Sequence, residues 1–410
     1  MTQARAREEL EEAMPRSRGM SRDLIVIFAA ATGLAVASNY LIQPLLATVR
    51  HQLHVTSSEA GLIVTVAQVG YAFGLVLLLP LGDLLERRRL ITVLAAITAA
   101  GLAAGGFAPS IGLLMCAVGV VGLTSVMAQI LVPFAASLTP AEQRGRVVGT
   151  VMSGLLLGIL LARTAAGLVA EVGGWRAVYW AAAGLMLLLT AVLFRRLPTY
   201  REEVTLRYHA LLLSVLAIAR AEPVLRRRSV FGALSFAAFS VLWTTLAFLL
   251  AGPHYGYGEA TIGLFGLAGA AGAIMASLAG RFADRGWGHV TTGVTALLHV
   301  AGFALIWLGE TSLPALIAGI VVLDIGAQGI HITNQSEIYR LRPDARSRIN
   351  AFYMTCCFAG AAVGSSSAAF VYSTYAWPGV CVLGAGLGVA AFAWWLPAAL
   401  HRPALSAPQD

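Results

Sequence analysis

The sequence predicts an all-α membrane protein, with twelve transmembrane helices arranged as two pseudo-symmetric bundles of six. Three observations lead there. First, 58% of the 410 residues are hydrophobic and only 12% are charged, against about 25% charged in a typical soluble domain; mean hydropathy is +0.77. Second, the apolar residues fall in runs of about 20, long enough to cross about 30 Å of hydrocarbon as helices. In lipid the backbone must satisfy its own hydrogen bonds, so such runs are helices rather than strands. Third, the chemistry of the loops repeats between the first and second halves.

Taken in order, residues 1–23 form a tail of mixed charge without the apolar core and small-residue cleavage site of a signal peptide. Spans are expected at about 24–48, 57–81, 90–108, 111–136, 147–170, 175–195, 229–252, 260–280, 289–308, 313–336, 349–374 and 377–397. The first bundle thus occupies 24–196 and the second 229–398, with a tail at 399–410. Between the bundles, 197–228 carries "YHALLLSVLAIARAEPVLRRR", an apolar stretch too short to span and flanked by arginine; an interfacial helix fits it. All 28 Lys and Arg residues are arginine. Arg50 and Arg176 lie in one set of loops, Arg163 lies within a span, and the remaining 25 lie in the other loops and the tails. The positive-inside rule then places both termini and the middle loop in the cytoplasm.

The net charge of +8 would suggest nucleic acid in a soluble protein, but here it is dispersed over short loops, so no nucleic-acid partner is expected. The four cysteines, Cys116, Cys356, Cys357 and Cys381, lie in apolar runs and suggest neither a disulfide framework nor a metal site. No nucleotide-binding loop or catalytic cluster is visible, so no cofactor, metal or enzymatic activity is expected. The partners are lipid, a small molecule and protons, and a monomer is expected. A membrane-embedded enzyme would need clustered catalytic groups, and a receptor a larger soluble domain.

The repeat is explicit. "PLGDLLERRRL" puts five charges into the seven residues from Asp83 to Arg89, and "GRFADRGWG" repeats its core, with Asp83 and Asp284 201 residues apart. "TPAEQRGRVVG" and "RPDARSRINA" align Arg144 with Arg346 and Arg146 with Arg348, an offset of 202. On these residues the chain resembles the major facilitator superfamily of secondary transporters over essentially its whole length. The family's loop signature after the second span is Gly, two or three residues, Asp, then a basic pair. Asp83, Arg87 and Arg88 fit it; Glu86 stands where Gly is usual and Leu79 where the first Gly often stands. Gly280, Asp284, Arg285 and Gly286 form the second copy. "YLIQPLL", "PLGDLLERRRLI" and "RPDARSRINAFYM" are similar to a bacterial branch near the sugar-efflux and drug-efflux groups. The resemblance implies an inner-membrane protein working by alternating access, as a proton-coupled antiporter in the efflux direction. It also implies a cytoplasmic gate formed by Asp83, Arg87, Arg88, Asp284 and Arg285; topology alone is the other reading of those arginines.

Polar groups deep in spans are the remaining clues, since a mid-helix charge costs roughly 2.5–3.5 kcal/mol on insertion scales. Asp324 is the one carboxylate near mid-span. Gln328, His331 and Gln335 follow at i+4, i+7 and i+11, forming a polar stripe on one helix face. It either lines a wet cavity or joins helices. Asp324 is the expected proton carrier, with His331 able to share that task. Arg163, in "GILLARTAAGLVAE", stands with Ala162 where the family's antiporters carry Gly and Pro on the fifth span, although Gly158 and Gly167 fit that signature. It could pair with Asp324, hold an anionic substrate, or snorkel to the surface. Organic-anion uptake or exchange, with Arg163 as counter-charge, is therefore the alternative to efflux. Asn39, Tyr40, Gln43, Gln129, Trp243 and Tyr353, with Gln68, are further candidates for cavity lining or for packing between helices.

Overall fold

The computed structural model describes residues 20–201, 207–269, 288–342 and 345–400. Asp284 and Arg285, half of the expected gate, lie outside the described residues, as do Gly280 and Gly286.

The first half opens with α1 (Arg22–Ala37), a 3₁₀ turn at Gln43–Leu45 and α2 (Leu46–Gln52). The expected first span is thus a broken helix. Pro44 sits in the 3₁₀ turn, where its missing N–H rules out a regular α-helical ladder. The next helix, α3 (Ser57–Leu77), starts at a capping box: Glu59 N–H donates to Thr56 Oγ1 at 3.1 Å and Thr56 N–H to Glu59 Oε2 at 2.8 Å, pairing two donors that a helix start leaves unmet. A short α4 (Leu81–Leu84) leads into α5 (Arg87–Gly106). Glu86, the departure from the family's Gly, caps α5 by accepting from the N–H groups of Arg88 and Arg89 at 2.9 and 3.1 Å. Two helices, α6 (Ile111–Thr124) and α7 (Met127–Ser137), share the fourth span. The half closes with α8 (Ala141–Arg196), which folds back at Gly174, φ 75°.

A middle helix, α9 (Tyr208–Ala221), precedes the second half: α10 (Pro223–Leu250), α11 (Glu259–Leu264), a 3₁₀ turn at Phe265–Gly269, α12 (Gly288–Leu308), α13 (Leu313–Ile338) and α14 (Arg346–Leu400). The last folds back at Ala376, φ 53°. Both hairpins are visible in their neighbours. Arg88 reaches Phe194 while Gly105 meets Tyr179, so the return limb of α8 runs antiparallel to α5. Trp395 likewise meets Gly293 and Gly384 meets Phe303, so the return limb of α14 runs antiparallel to α12.

Among the described residues, eight helices are long and apolar enough to cross a membrane. Two of these are the hairpins, so they supply ten spans. The broken α1–α2 supplies the first, and α11 with its turn begins the eighth. The described helices fit the twelve-helix architecture, and the rest of the expected eighth span lies outside the described residues.

Within each half the helices approach through small residues. A Cβ on Gly154 would lie 2.3 Å from Ala29 O, and one on Gly158 2.2 Å from Gly33 O. In the second half, Cβ atoms on Gly360 and Gly364 would each lie 2.3 Å from Ala233 O and Ala237 O. Close backbone approach through a small-xxx-small spacing is how helices associate where no hydrophobic effect separates protein from solvent.

The halves also seal against each other, among the described residues on one side. Call the face carrying residues 80–90 and 140–146 the arginine-rich face, and the face carrying residues 52–57 and 250–259 the arginine-poor one. Among the described residues, the hydrogen bonds joining the two bundles run between Thr48 and Glu259, Thr65 and Ser365, Gln68 and both Ser240 and Ser365, Thr164 and Gly263, and Glu171 and the N–H of Ala260. All lie on the arginine-poor side of the Tyr71–Phe358 ring stack, whose centroids are 4.2 Å apart. The backbones nearly touch there: a Cβ on Gly61 would stand 2.4 Å from that of Ala369, and one on Gly263 2.6 Å from Arg163 O.

Candidate translocation site

Just inside that seal, the broken first span, α8, α10, the 3₁₀ turn and α13 converge on Arg163. It is 3% exposed. Its Nε donates to Gln43 Oε1 at 2.7 Å, and its guanidinium lies 3.8 Å from the centroid of Trp243, with Tyr40 at 4.9 Å and Phe239 at 5.8 Å. Arg163 therefore does not snorkel: it is held inside a box of three rings, an arrangement that stabilises a desolvated cation by about 2 kcal/mol or more for a good ring. The break at 38–45 is what lets Tyr40 and Gln43 reach it, because the chain there leaves regular helix.

Asp324, from the middle of α13, is 4% exposed. It is close enough to Arg163 for the charges to interact, but the ion pairs among the described residues are elsewhere. Arg163 Nη2, Trp243 Nε1 and Asp324 Oδ1 are all buried with no partner within hydrogen-bond distance, and the Trp243 indole stands beside the Asp324 carboxyl. Unmet buried polar atoms are rare in native proteins, and three at one seam mark a place built for something else.

The 3₁₀ turn shapes the floor. A Cβ on Gly266 would lie 2.8 Å from that of Arg163, and one on Gly269 3.1 Å from Asp324 Oδ2. In a 3₁₀ helix residues three apart eclipse one another, so Gly266 and Gly269 present one bare face to both charged side chains. Sequence reasoning misses this feature, yet "GLFGLAG", with Gly263, Gly266 and Gly269 at a spacing of three, carries the signal.

The other expected residues form separate groups. Towards the arginine-rich face, His331 Nδ1 lies 3.2 Å from Tyr353 Oη, and Asn334 donates to the same oxygen at 3.3 Å. Arg228 donates to Thr292 at 2.8 Å and Asn334 at 3.3 Å, and pairs with Glu337 at 3.7 Å. Sequence reasoning misses Asn334 and Arg228 too: Asn334 lies outside the i+4, i+7 stripe, and Arg228 reads as a loop residue. Gln129 donates to Tyr71 at 3.3 Å. Gln328, Gln335 and Asn39 are half-buried, and Asn39 Oδ1 has no partner. In the arginine-rich loop, Arg87, 4% exposed, donates to Gly82 O at 2.9 Å and Ser137 at 3.1 Å, and pairs with Asp83 at 3.5 Å. It also stands over Phe134 and Tyr200, and Arg88 reaches Phe194 O. These contacts fasten the loop to its own half.

The paired helical bundles match what the comparisons with known proteins find. The Major Facilitator Superfamily pattern matches residues 28–364. The chain belongs to that superfamily. It is 51% identical to the "Uncharacterized transporter YgaY" of Escherichia coli O157:H7, over 92% of this chain and 96% of that one. It is 36% identical to the "Probable transporter SCO4007" of Streptomyces coelicolor, over 90% of this chain and 85% of that one. Among solved structures, a mutant form of the nucleoside transporter NupG superposes with a TM-score of 0.73 at 14% identity, covering 92% of this chain and all of that one. A bacterial homologue of the human lysosomal transporter Spinster, inward-facing and occupied, superposes with a TM-score of 0.72 at 13% identity, covering 92% and 96%. The chain is thus a multi-pass membrane transporter of this superfamily, not an enzyme.

Proposed function

We propose that this superfamily member moves a small organic solute across a bacterial inner membrane by alternating access, coupled to protons, with Asp324 as the proton carrier. The bundles 24–196 and 229–398 are the units that rock. The arginine asymmetry supports a cytoplasmic arginine-rich face; the seal then lies on the outer side and the structure faces inward. The observation that carries the proton reading is Asp324 itself: a buried carboxylate at the seam with one oxygen unpartnered, the kind of intramembrane group that serves proton relays. His331, seven residues nearer the arginine-rich face on α13, is the second proton candidate. The Asp83 and Arg87 loop, with Arg88, is the inner gate.

The likeness to efflux groups supports export against inward protons, in which substrate and proton compete. A second reading, carriage of an organic anion, is favoured by Arg163, whose Nη2 is buried and unpartnered. Growth of a pump-deficient strain carrying the gene, against drugs, sugars and amino acids, identifies the solute. Proteoliposomes loaded with a pH-sensitive dye then test coupling. Asp324→Asn is expected to remove substrate-dependent proton movement while protein yield is unchanged; full proton coupling in that variant overturns the proton site.

A further inference from the structure

We infer that the seam site binds the anionic end of an organic acid, and that it binds it best when Asp324 holds a proton, so that acid and proton travel in the same direction. This deepens the second reading above, carriage of an organic anion, and rests on Asp324 as the proton carrier; it puts co-transport in place of exchange against protons.

Three buried atoms at the seam have no partner within hydrogen-bond distance. Arg163 Nη2 and Trp243 Nε1 are donors and Asp324 Oδ1 is an acceptor. When Asp324 is protonated it no longer offsets the guanidinium, and the site has two unmet donors and a net positive charge. A carboxylate answers both, with two oxygens and one negative charge; a planar guanidinium suits that group better than an ammonium does. Water could satisfy one donor but not the charge. The walls fix the remainder of the ligand: Tyr40, Phe239 and Trp243 surround the guanidinium, so an aromatic or apolar body next to the carboxylate is accommodated.

The sign of the coupling follows. An ionised Asp324 repels the incoming anion and offsets the guanidinium charge; a protonated one does neither. Proton and anion therefore raise each other's affinity by the same factor, as linkage requires. Other ionisable groups near Asp324 do not reverse this. Arg163 faces it from the opposite half, with Tyr40 behind. His299 on α12, beside Gly326, is engaged by Ser235 and by Thr295 O at 2.9 and 2.8 Å. The 3₁₀ turn Phe265–Gly269 has no ionisable side chain. Arg228 on α10 and Tyr353 on α14 are bonded around Asn334, further along α13 with His331 and Glu337.

The test is calorimetric binding to the full-length protein in nanodiscs. The probes are benzoate, 4-hydroxybenzoate and indole-3-acetate, each beside its amide and its amine. The carboxylates are expected to bind about tenfold tighter at pH 5.5 than at pH 7.5, and the amides and amines at least about tenfold more weakly than the carboxylates at the lower pH. Asp324→Asn is expected to bind carboxylates at both pH values as tightly as the unaltered protein does at pH 5.5. Arg163→Gln is expected to lose the preference for carboxylates. Preference for the amines, no response to any carboxylate, or carboxylate affinity that rises with pH each overturns the inference. The charge-class comparison uses the intact protein, so it stands even where Arg163→Gln fails to fold. Failure of the two proposals is distinguishable: carboxylate preference alongside proton coupling that survives Asp324→Asn removes the proton carrier alone. Loss of coupling in that variant alongside amine preference removes the anion site alone.

Discussion

The two halves of the chain agree in their scaffold and differ in their charges. Ser110 and Ser312 stand just before the first residues of the fourth and tenth spans, 202 residues apart. Gly174 and Ala376, also 202 apart, have positive φ and turn the two long hairpins. A buried tryptophan follows each: Trp175 donates to Gln52 and Trp377 to Ile306 O. Gly154 and Gly158 pack as Gly360 and Gly364 do, at an offset of 206. Yet at that offset Arg163 falls on Ala369, and at 202 Asp324 falls on Gly122. Packing had to be solved twice because each bundle must hold together alone. The charged groups were needed once, at the seam, so they are the places where the duplication has been broken.

Substitutions that exchange the roles of the halves test this reading, and the largest effect belongs to the charges. Asp324→Asn is expected to abolish proton-coupled flux in proteoliposomes. Its mirror, Gly122→Asp, cannot supply a second carrier, because a Cβ there would stand 2.2 Å from Ala67 O; little folded protein should be recovered on size-exclusion chromatography. Next are the paired glycines of the seal. Gly61→Leu and Gly263→Leu should each prevent closure at the arginine-poor face. Cysteines placed at residues 65 and 365 should then lose their cross-linking, and efficient cross-linking in either background would show that the two contacts are not a matched pair. Asp83→Arg should lower turnover severalfold while leaving substrate affinity within about twofold; unchanged turnover would assign the loop to topology alone. Smallest are the hairpin turns. Gly174→Ala should destabilise by about 1 kcal/mol and Ala376→Gly should stabilise by less than that, since extended backbone at positive φ costs a side chain about 1–3 kcal/mol and glycine loses up to about 1 kcal/mol in chain entropy. Thermal exposure of the native cysteines to a thiol dye reads both.

Much of this was legible in the sequence, for a physical reason. Lipid enforces long apolar runs, and arginine cannot be hidden among them, so spans and their alternation are written in composition. Arg163 and Asp324 stand out for the same reason. What hydropathy could not show is where a helix breaks without losing apolar character: the first span reads as continuous, and only Pro44 hints at the turn that brings Tyr40 and Gln43 to Arg163. Phe239 was hidden because an aromatic ring that boxes a cation looks like any other apolar residue in a span. The turn at Phe265–Gly269 was hidden because glycine is common in every helix here, and a spacing of three is easily lost beside the usual four.

That turn ties two events together. Gly263 closes the outer contact, while Gly266 and Gly269, three and six residues further on, lie against Arg163 and Asp324. One short strip is both latch and floor. When the halves part at the outer edge, the strip leaves Arg163 with Asp324 still beside it, so a single movement both opens the outer contact and draws the two opposite charges apart.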